Sequence, residues 1–376
     1  MPSAGLYIHI PFCNIKCIYC DFYSVVDQES TIPDFFKALF KEIQSINTDT
    51  SKWNIDTIFI GGGTPSLIKP DLISKLIDQL SKKFNLSNIK EFSLEANPGE
   101  AKFEYLKGYR DLGINRLSIG VQSLDPMLLK FLTRLHNPED VFHTFENARK
   151  AGFDNINCDL IFNIPNQSMS IWKRDLQTII DLNPDHISCY SLTVEKNTQL
   201  FQYINNGKVQ MPSEDKSIDY YKWAQYKLAE QGFHQYEISN WEKPGKECRH
   251  NMHYWEIDPY LSFGPSAHSF DGNIRYSNIR NLNQYIKSIN NGDDPRDFIE
   301  EFSDKNFTNE LIGFGLRIAN GINLDRIPNS FSSLVNNSIK INQKKWGEHF
   351  IFEKNKLKLS EEGFAFSDAI AIDLMI

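Results

Sequence analysis

The stretch that decides the fold is Tyr7-Ile-His-Ile-Pro-Phe-Cys13-Asn-Ile-Lys-Cys17-Ile-Tyr-Cys20. Its first residues predict a β-strand over residues 6–10, and three cysteines with C-x3-C-x2-C spacing follow directly. Iron–sulfur clusters are held by cysteine thiolates, and three thiolates in so short a loop can surround one cluster. We therefore predict that Cys13, Cys17 and Cys20 hold a [4Fe–4S] cluster whose fourth iron is open.

An open iron gives such a cluster a specific chemistry. It can bind the amino and carboxylate groups of S-adenosylmethionine, and a reduced cluster can then donate one electron and cleave the S–C bond, which yields a 5′-deoxyadenosyl radical. The alternative is a structural zinc site. Zinc usually takes four ligands in two pairs, however, and no second cysteine pair stands near this one. Spacing and context therefore favour the cluster.

Strands and helices alternate through the first two-thirds of the chain. The predicted strands are 6–10, 57–60, 91–95, 116–121, 156–162 and 186–192. The predicted helices are 33–46, 70–84, 103–112, 138–151, 170–182 and 214–231. Repetition of strand, helix and strand predicts an α/β fold with right-handed crossovers and a parallel sheet. Periodicity alone leaves open whether that sheet is flat or curls into a barrel.

After the sixth strand the pattern changes. Residues 232–281 are rich in aromatics, Gly, Pro and His and show little helical period. The last part of the chain predicts a small α+β domain with a helix at 309–318, a strand at 356–359 and a helix at 360–373. The polar segment 290–305 is predicted to be a linker. The predicted divisions are therefore 1–235, a junction at 236–290, and 291–376.

Composition places the chain among ordinary globular proteins. Of its 376 residues, 41% are hydrophobic and 23% are charged, and no apolar run is long enough to predict a membrane span. The net charge of −8, with dispersed basic residues, argues against nucleic-acid binding. The N-terminus lacks the pattern of a secretory signal, so a cytoplasmic location is expected. Cys158 and Cys189 lie in predicted strands and are expected to be buried.

Glycine and polar residues stand where later strands are predicted to end, which is where ligands bind in parallel α/β folds. Gly61-Gly62-Gly63-Thr64 ends the second strand, and successive glycines let backbone amides approach a ligand. A plain turn or a phosphate cradle is the alternative, although a P-loop would need a following Lys-Ser or Lys-Thr. Singly, the other polar residues are more often caps or turn residues, but together they can line one rim: Glu95, Gln122, Arg134 and Asp159.

Several motifs in the same order resemble the radical-SAM family of oxygen-independent coproporphyrinogen III oxidase and its relatives. They are the cysteine motif, Gly-Gly-Gly-Thr-Pro, Gly-Val-Gln-Ser and, in the C-terminal part, Glu310-Leu-Ile-Gly-Phe-Gly-Leu-Arg317. The resemblance covers nearly the whole chain and implies a partial (β/α)6 barrel for about residues 1–235. It implies that Cys13, Cys17 and Cys20 are the cluster ligands. The S-adenosylmethionine contacts that it implies are Tyr7, Tyr19, Gly62, Gly63, Thr64, Glu95, Gln122, Arg134 and Asp159.

Three features separate the chain from the oxidase branch of this family. The oxidase branch has the cysteine pattern Cys-x3-Cys-x2-Cys-x-Cys, whereas this chain has Phe22 at the position of the fourth cysteine. The oxidase also has a longer segment ahead of the Tyr-Ile-His motif. In addition, the segment His250-Asn-Met-His-Tyr-Trp255 is similar to the His-Asn-x-x-Tyr-Trp motif of a heme-chaperone branch.

The residue types in this segment are compatible with heme. Histidine can be an axial ligand to heme iron, and tyrosine and tryptophan offer flat apolar faces to a porphyrin. The resemblance favours His250 as the iron ligand, and the residues expected to contact heme are His250, Asn251, Tyr254 and Trp255. The further candidates are His268 and, at lower rank, Cys248 as ligands, and Arg249 and Arg275 as partners of the propionates. An aromatic, His-bearing stretch is nevertheless more often core packing.

The leading hypothesis is a cytoplasmic heme chaperone. It would bind heme as cargo, pass it to an acceptor protein and keep a [4Fe–4S] cluster coordinated by S-adenosylmethionine, with no residue assigned to catalysis. A homodimer, and peripheral membrane association through the acceptor, are compatible with this hypothesis. The alternative is an oxidase that decarboxylates coproporphyrinogen III propionates with the deoxyadenosyl radical, since all residues expected to face S-adenosylmethionine are present. A structural zinc protein is the least favoured interpretation.

Overall fold

A computed structural model describes the whole chain, Met1–Ile376. It contains a 12-stranded sheet and a 3-stranded sheet. The strands are β1 (Ser3–Ile10), β2 (Asn54–Gly62), β3 (Glu91–Ala96), β4 (Arg116–Gln122), β5 (Ile156–Phe162), β6 (His186–Ser191), β7 (His234–Glu237), β8 (Asn240–Glu242), β9 (Tyr260–Phe263), β10 (His268–Phe270), β11 (Ile274–Asn278), β12 (Arg296–Glu301), β13 (Ile322–Asn323), β14 (Phe350–Glu353) and β15 (Lys356–Leu359). The helices are α1 (Ile32–Ser45), α2 (Pro70–Lys83), α3 (Phe103–Asp111), α4 (Pro126–Phe131), α5 (Pro138–Lys150), α6 (Met169–Asp181), α7 (Gln199–Asn205), α8 (Glu214–Glu230), α9 (Arg249–Trp255), α10 (Leu282–Asn291), α11 (Asp304–Gly315), α12 (Asn329–Trp346) and α13 (Ser367–Leu374).

The first six strands run parallel, and their order in the sheet follows the order of the chain. Right-handed crossovers in sequential order place every connecting helix on one face, so the other face becomes the interior of a barrel. Consistent with this, α1, α2 and α3 pack against their neighbours in turn. The outer strands of the sheet are β12 and β7, which do not pair, so the barrel is open. The predicted partial (β/α)6 barrel is confirmed.

Local sequence explains why these elements form. β1 and β2 are almost entirely buried, as expected for parallel strands that are covered on both faces. α5 begins with a capping box, in which the Asn137 side chain accepts the Asp140 N–H and the Asp140 carboxylate accepts the Asn137 N–H. Pro138 follows as the first helical residue, where its missing N–H costs no hydrogen bond. Strong local signals of this kind made the helices of the barrel predictable.

Residues 232–281 contain more regular structure than their sequence pattern predicts. The large sheet is extended beyond the barrel by five strands, β7, β8, β9, β10 and β11. The helix α9 lies between β8 and β9. The prediction of a linker at 290–305 is wrong, because β12 lies within these residues and pairs antiparallel with β11. The five strands have only three to five residues each, too few for local periodicity to reveal them.

The C-terminal residues form a smaller unit with the sheet order β13-β15-β14. The strand predicted at 356–359 coincides with β15, whereas α12 was not predicted because its many Ser and Asn residues have weak helix propensity. The core of this unit continues onto Tyr260 and Phe270 of the large sheet. The domain boundaries at 235 and 290 stay predictions, although β12 belongs to the large sheet. No helix has the length and apolarity that crossing a membrane would require.

Candidate functional site

The three motif cysteines lie in a loop that follows β1, at the carboxyl end of the barrel strands. All three are free and partly exposed. The loop is closed on itself by the Cys13 N–H, which donates to the Val25 carbonyl at 3.0 Å, and its middle is joined to α7 by the Leu200 N–H, which donates to the Ile18 carbonyl at 2.9 Å. Ile18 is buried in a small apolar cluster with residues of α4 and α7. Backbone hydrogen bonds and packing therefore both hold the loop.

A chain of hydrogen bonds joins two of these thiols. Thr64 Oγ1 donates to Cys13 Sγ at 3.5 Å and accepts from Asn97 Nδ2 at 2.9 Å. Arg134 Nη2 donates to Asn97 Oδ1 at 2.6 Å, while Arg134 Nη1 donates to Cys17 Sγ at 3.6 Å. Side chains from the ends of β2 and β3 and from the loop after α4 thus converge on the cysteine loop.

The pKa values of the cysteine thiols bear on whether the loop can bind a cluster. Burial raises the pKa of Cys13 and of Cys20, which disfavours free thiolates. The hydroxyl of Thr64 and the ammonium of Lys16 oppose this effect at Cys13. Thiolates that bind metal have their charge neutralised, and donors aimed at the sulfurs stabilise that state. The donors aimed at Cys13 and Cys17 therefore fit thiolates that bind an iron–sulfur cluster.

The glycine run forms a backbone cradle beside the cysteine loop. At Gly63 an added Cβ would lie 2.6 Å from the Phe12 carbonyl oxygen, so only glycine fits this close approach. Gly62 has a φ of 114°, in the region that favours glycine. Its N–H donates to Glu95 Oε2 at 2.9 Å, which joins the end of β2 to the end of β3. The turn therefore positions a carboxylate as well as backbone amides.

Glu95 is the most perturbed acid of this region. Burial raises its pKa to about 7. The hydrogen bond from the Gly62 N–H lowers the pKa, and the negative charge of Asp159 raises it further. Asp159 is held on β5 by Ser118 Oγ and Asn157 Nδ2, each at 2.8 Å. Two carboxylates thus face one interior, and a perturbed acid such as Glu95 is typical of functional sites.

The remaining residues expected to contact S-adenosylmethionine also reach this end of the barrel. Tyr7 lies close enough to Glu95 for the carboxylate charge to raise its pKa, after the larger effect of burial. Tyr19 is close to Arg134, whose charge lowers its pKa against the dominant effect of burial. The side chains of Gln122 and Arg134 meet beside Gly120, where an added Cβ would contact both. The structure therefore brings the nine expected residues together, while their role toward the cofactor stays a prediction.

One residue at the centre of this network was missed by sequence reasoning. Asn97 connects Thr64 to Arg134 and also donates to Glu100 Oε2 at 2.7 Å. Its position immediately after β3 was the available signal. That signal was weak, because an asparagine before a proline is more often a simple turn residue.

The His250–Trp255 motif lies at the opposite end of the barrel. It forms α9, whose first N–H groups are capped by the buried carboxylate at the start of β3: Glu91 accepts from the Arg249 N–H at 2.7 Å and from the His250 N–H at 3.3 Å. Cys248 donates to the same carboxylate at 3.4 Å. Because Glu91 is the first residue of β3, α9 closes the amino-terminal end of the barrel. The motif and the cysteine loop therefore do not form one site.

His250 is enclosed by its neighbours in this position. It is 1% exposed, and its ring nitrogens hydrogen-bond to Thr57 Oγ1 at 2.8 Å and to the Tyr254 hydroxyl at 2.9 Å. Burial holds its pKa well below the ordinary value, so the ring is neutral. Iron binding at His250 would require the hydrogen bond at the coordinating nitrogen to open, to Tyr254 at Nε2 or to Thr57 at Nδ1. Its role as a heme ligand stays a prediction without support from this geometry.

Other members of the candidate heme set are also engaged in packing. The indole of Trp255 packs edge-on against Phe314 of the C-terminal unit, with ring centroids 5.7 Å apart. Arg275 forms a two-pronged ion pair with Glu310, one arm of which is 2.8 Å, so its guanidinium is not free for a propionate. Arg249 pairs with Glu247 at 3.2 Å. No side-chain contact of Asn251 singles it out.

His253 is held between two carboxylates. Its Nε2 donates to Asp56 Oδ1 and its Nδ1 donates to Asp258 Oδ2, each at 3.0 Å. Burial alone would lower its pKa, but the hydrogen bonds to Asp258 and Asp56 and their charges outweigh burial and raise the pKa to about 9. Both nitrogens carry hydrogen, so His253 is an imidazolium that fixes α9 to β2.

Comparisons with known proteins agree with this architecture. Residues 7–179 match the model of the radical SAM superfamily. The chain is 36% identical to a protein named heme chaperone HemW from Bacillus subtilis, over 86% of this chain and 86% of the relative. It is 33% identical to a protein of the same name from Lactococcus lactis, over 97% of this chain and 95% of the relative. The chain belongs to the HemW family.

The fold of this HemW family member is also that of a solved enzyme. Coproporphyrinogen III oxidase (HemN) from Escherichia coli superposes with a TM-score of 0.85 at 21% identity, covering 100% of this chain and 90% of that one. At this identity the likeness establishes the shared fold, including the small C-terminal unit. Phe22 remains the local difference that the sequence singled out, and its side chain is 70% exposed beside the cysteine loop.

Proposed function

We propose that this protein is a heme chaperone, which binds heme and passes it to an acceptor protein. The observation that carries the proposal is its identity of 36% and 33% to two proteins named heme chaperone HemW, spread over most of each chain. Phe22 supports the proposal, because this chain has a phenylalanine at the position where the oxidase branch has a fourth cysteine. As predicted from the sequence, the proposal places the protein in the cytoplasm, where its six free cysteines would remain reduced.

We further propose that the cysteine loop holds a [4Fe–4S] cluster with S-adenosylmethionine on its open iron. When bound, this pair supplies one-electron cleavage of the sulfonium S–C bond. The chain's own contribution is to hold Cys13 and Cys17 through Thr64 and Arg134, and to aim amides and carboxylates inward. Glu95, about half ionised near neutral pH, is available to accept hydrogen bonds from ribose hydroxyls.

The experiment that tests the proposal offers two molecules to the same anaerobically reconstituted protein. Hemin is titrated while the Soret band is followed, and coproporphyrinogen III is incubated with reductant and S-adenosylmethionine while products are separated. A chaperone binds hemin in a saturable way and leaves coproporphyrinogen III unchanged. Stoichiometric conversion to protoporphyrinogen IX would instead establish the oxidase, and failure of the protein to bind hemin would reject the chaperone.

A further inference from the structure

The exposure of the histidines narrows the choice of a heme ligand. Of the nine histidines in the chain, six are buried: His9, His136, His186, His250, His253 and His349. The exposed ones are His143, His234 and His268. His143 lies on α5, outside the barrel, and His234 begins β7, level with the first residue of β6 at the amino-terminal end. Among the exposed histidines, only His268 stands beside the cysteine loop.

The position of His268 follows from the loops around it. It is the first residue of β10, which runs antiparallel to β9, so His268 lies at the carboxyl end of the barrel strands. Backbone hydrogen bonds of 3.0 and 3.1 Å join Ala267 to Asn278 and Ser266 to Ile279, which places Arg280 on the segment next to His268. Arg280 in turn donates to the carbonyl and the carboxylate of Asp21 in the cysteine loop.

An apolar side chain and a free cation stand on the same part of that loop. Phe22 is 70% exposed although it is large and apolar. Lys16 Nζ donates to the Phe22 carbonyl at 2.5 Å and to Ser24 Oγ at 2.9 Å and has no carboxylate partner. Arg280 reaches the same segment through Asp21, the residue before Phe22. The loop that carries His268 and the segment 16–24 are therefore neighbours at one mouth of the barrel.

We propose that heme binds at this mouth, with His268 as the axial iron ligand, Phe22 against the porphyrin face, and Lys16, which has no carboxylate partner, facing a propionate. The inference rests on the proposed function and names the place of its cargo. A porphyrin is flat and apolar with two anionic propionates, and an exposed phenylalanine beside an unpaired cation matches that distribution.

The test is a hemin titration of the reduced full-length protein, read from the Soret maximum and the dissociation constant. His268→Ala is expected to weaken binding by about tenfold or more, the effect of losing at least 1.4 kcal/mol of interaction, and to shift the Soret maximum. His268→Met is expected to retain binding with a different spectrum, which a merely structural role would not produce. His143→Ala and His234→Ala are matched controls on exposed histidines and should behave as the wild type.

Phe22→Ala provides a second arm, since Phe22 is exposed and its removal leaves the core intact. It is expected to weaken hemin binding severalfold without moving the Soret maximum. Wild-type affinity and spectrum in His268→Ala would overturn the inference while leaving the chaperone function standing. So would a folded His250→Gln protein that loses the wild-type spectrum. A wild-type protein that binds no hemin would reject the proposed function itself.

Discussion

Replacing His253 by Gln removes the buried positive charge that contacts two carboxylates at the closed end of the barrel. Asp56 and His253 have side chains that are 7% and 6% exposed, so the pair is shielded from solvent. Lys90, at 3.5 Å from Asp56, is the other cation there, and its side chain is 54% exposed. Breaking a buried pair by removing one partner typically costs about 3–5 kcal/mol. We expect His253→Gln to be less stable than the wild type at neutral pH.

The pKa of His253 gives this loss a definite pH dependence. The ordinary value is 6.5, and the folded value is about 9. Because the folded state binds the proton more tightly, the stabilisation is fully present below about pH 6.5 and is lost as the pH rises through about 9. Integration between pH 7 and pH 9 yields about 2 kcal/mol. The difference in unfolding free energy between wild type and variant should shrink by that amount over this range.

The assay is urea unfolding of wild type and His253→Gln between about pH 6 and 9.5. Comparing the two proteins cancels the titration of groups that they share, such as the buried cysteines, whose thiols also affect stability at high pH. His143→Gln, on the exposed side of α5, serves as the control and should follow the wild type. A constant difference between His253→Gln and wild type from pH 7 to pH 9 would refute the assignment of a charged His253.

Three further predictions concern the mouth of the barrel. Cys17→Ser should lose most of the iron after anaerobic reconstitution, by metal analysis, whereas Cys189→Ala, which changes a cysteine buried in β6, should retain it. Gly63→Ala should lower the free energy of unfolding, measured in urea, by about 1–3 kcal/mol, because the added Cβ meets the Phe12 backbone. An unchanged free energy of unfolding would show that the Phe12 backbone can move to make room for the Cβ. In calorimetry, S-adenosylmethionine should bind wild type more tightly as the pH rises through about 7, where Glu95 ionises, and Glu95→Gln should abolish that trend.

Most of the barrel could be predicted from the sequence, because its signals are local. The six parallel strands and their connecting helices appear near the predicted positions, and caps such as Asn137 and Pro138 mark helix starts within a few residues. The cysteine spacing is equally local, since one loop carries all three thiols. Elements whose stability depends on distant partners escaped prediction. α9 is capped by Glu91, which is 158 residues before Arg249 in the chain.

The candidate site divides in the same way. The sequence alone determined which residues are available for the cluster and for S-adenosylmethionine, because motifs and strand ends identify them. Only the tertiary structure decided that Asn97 joins Thr64 to Arg134, that His250 is buried against Thr57, 193 residues away, and that His268 stays exposed. Burial and pairing depend on which distant segments meet, and a sequence pattern carries no measure of either.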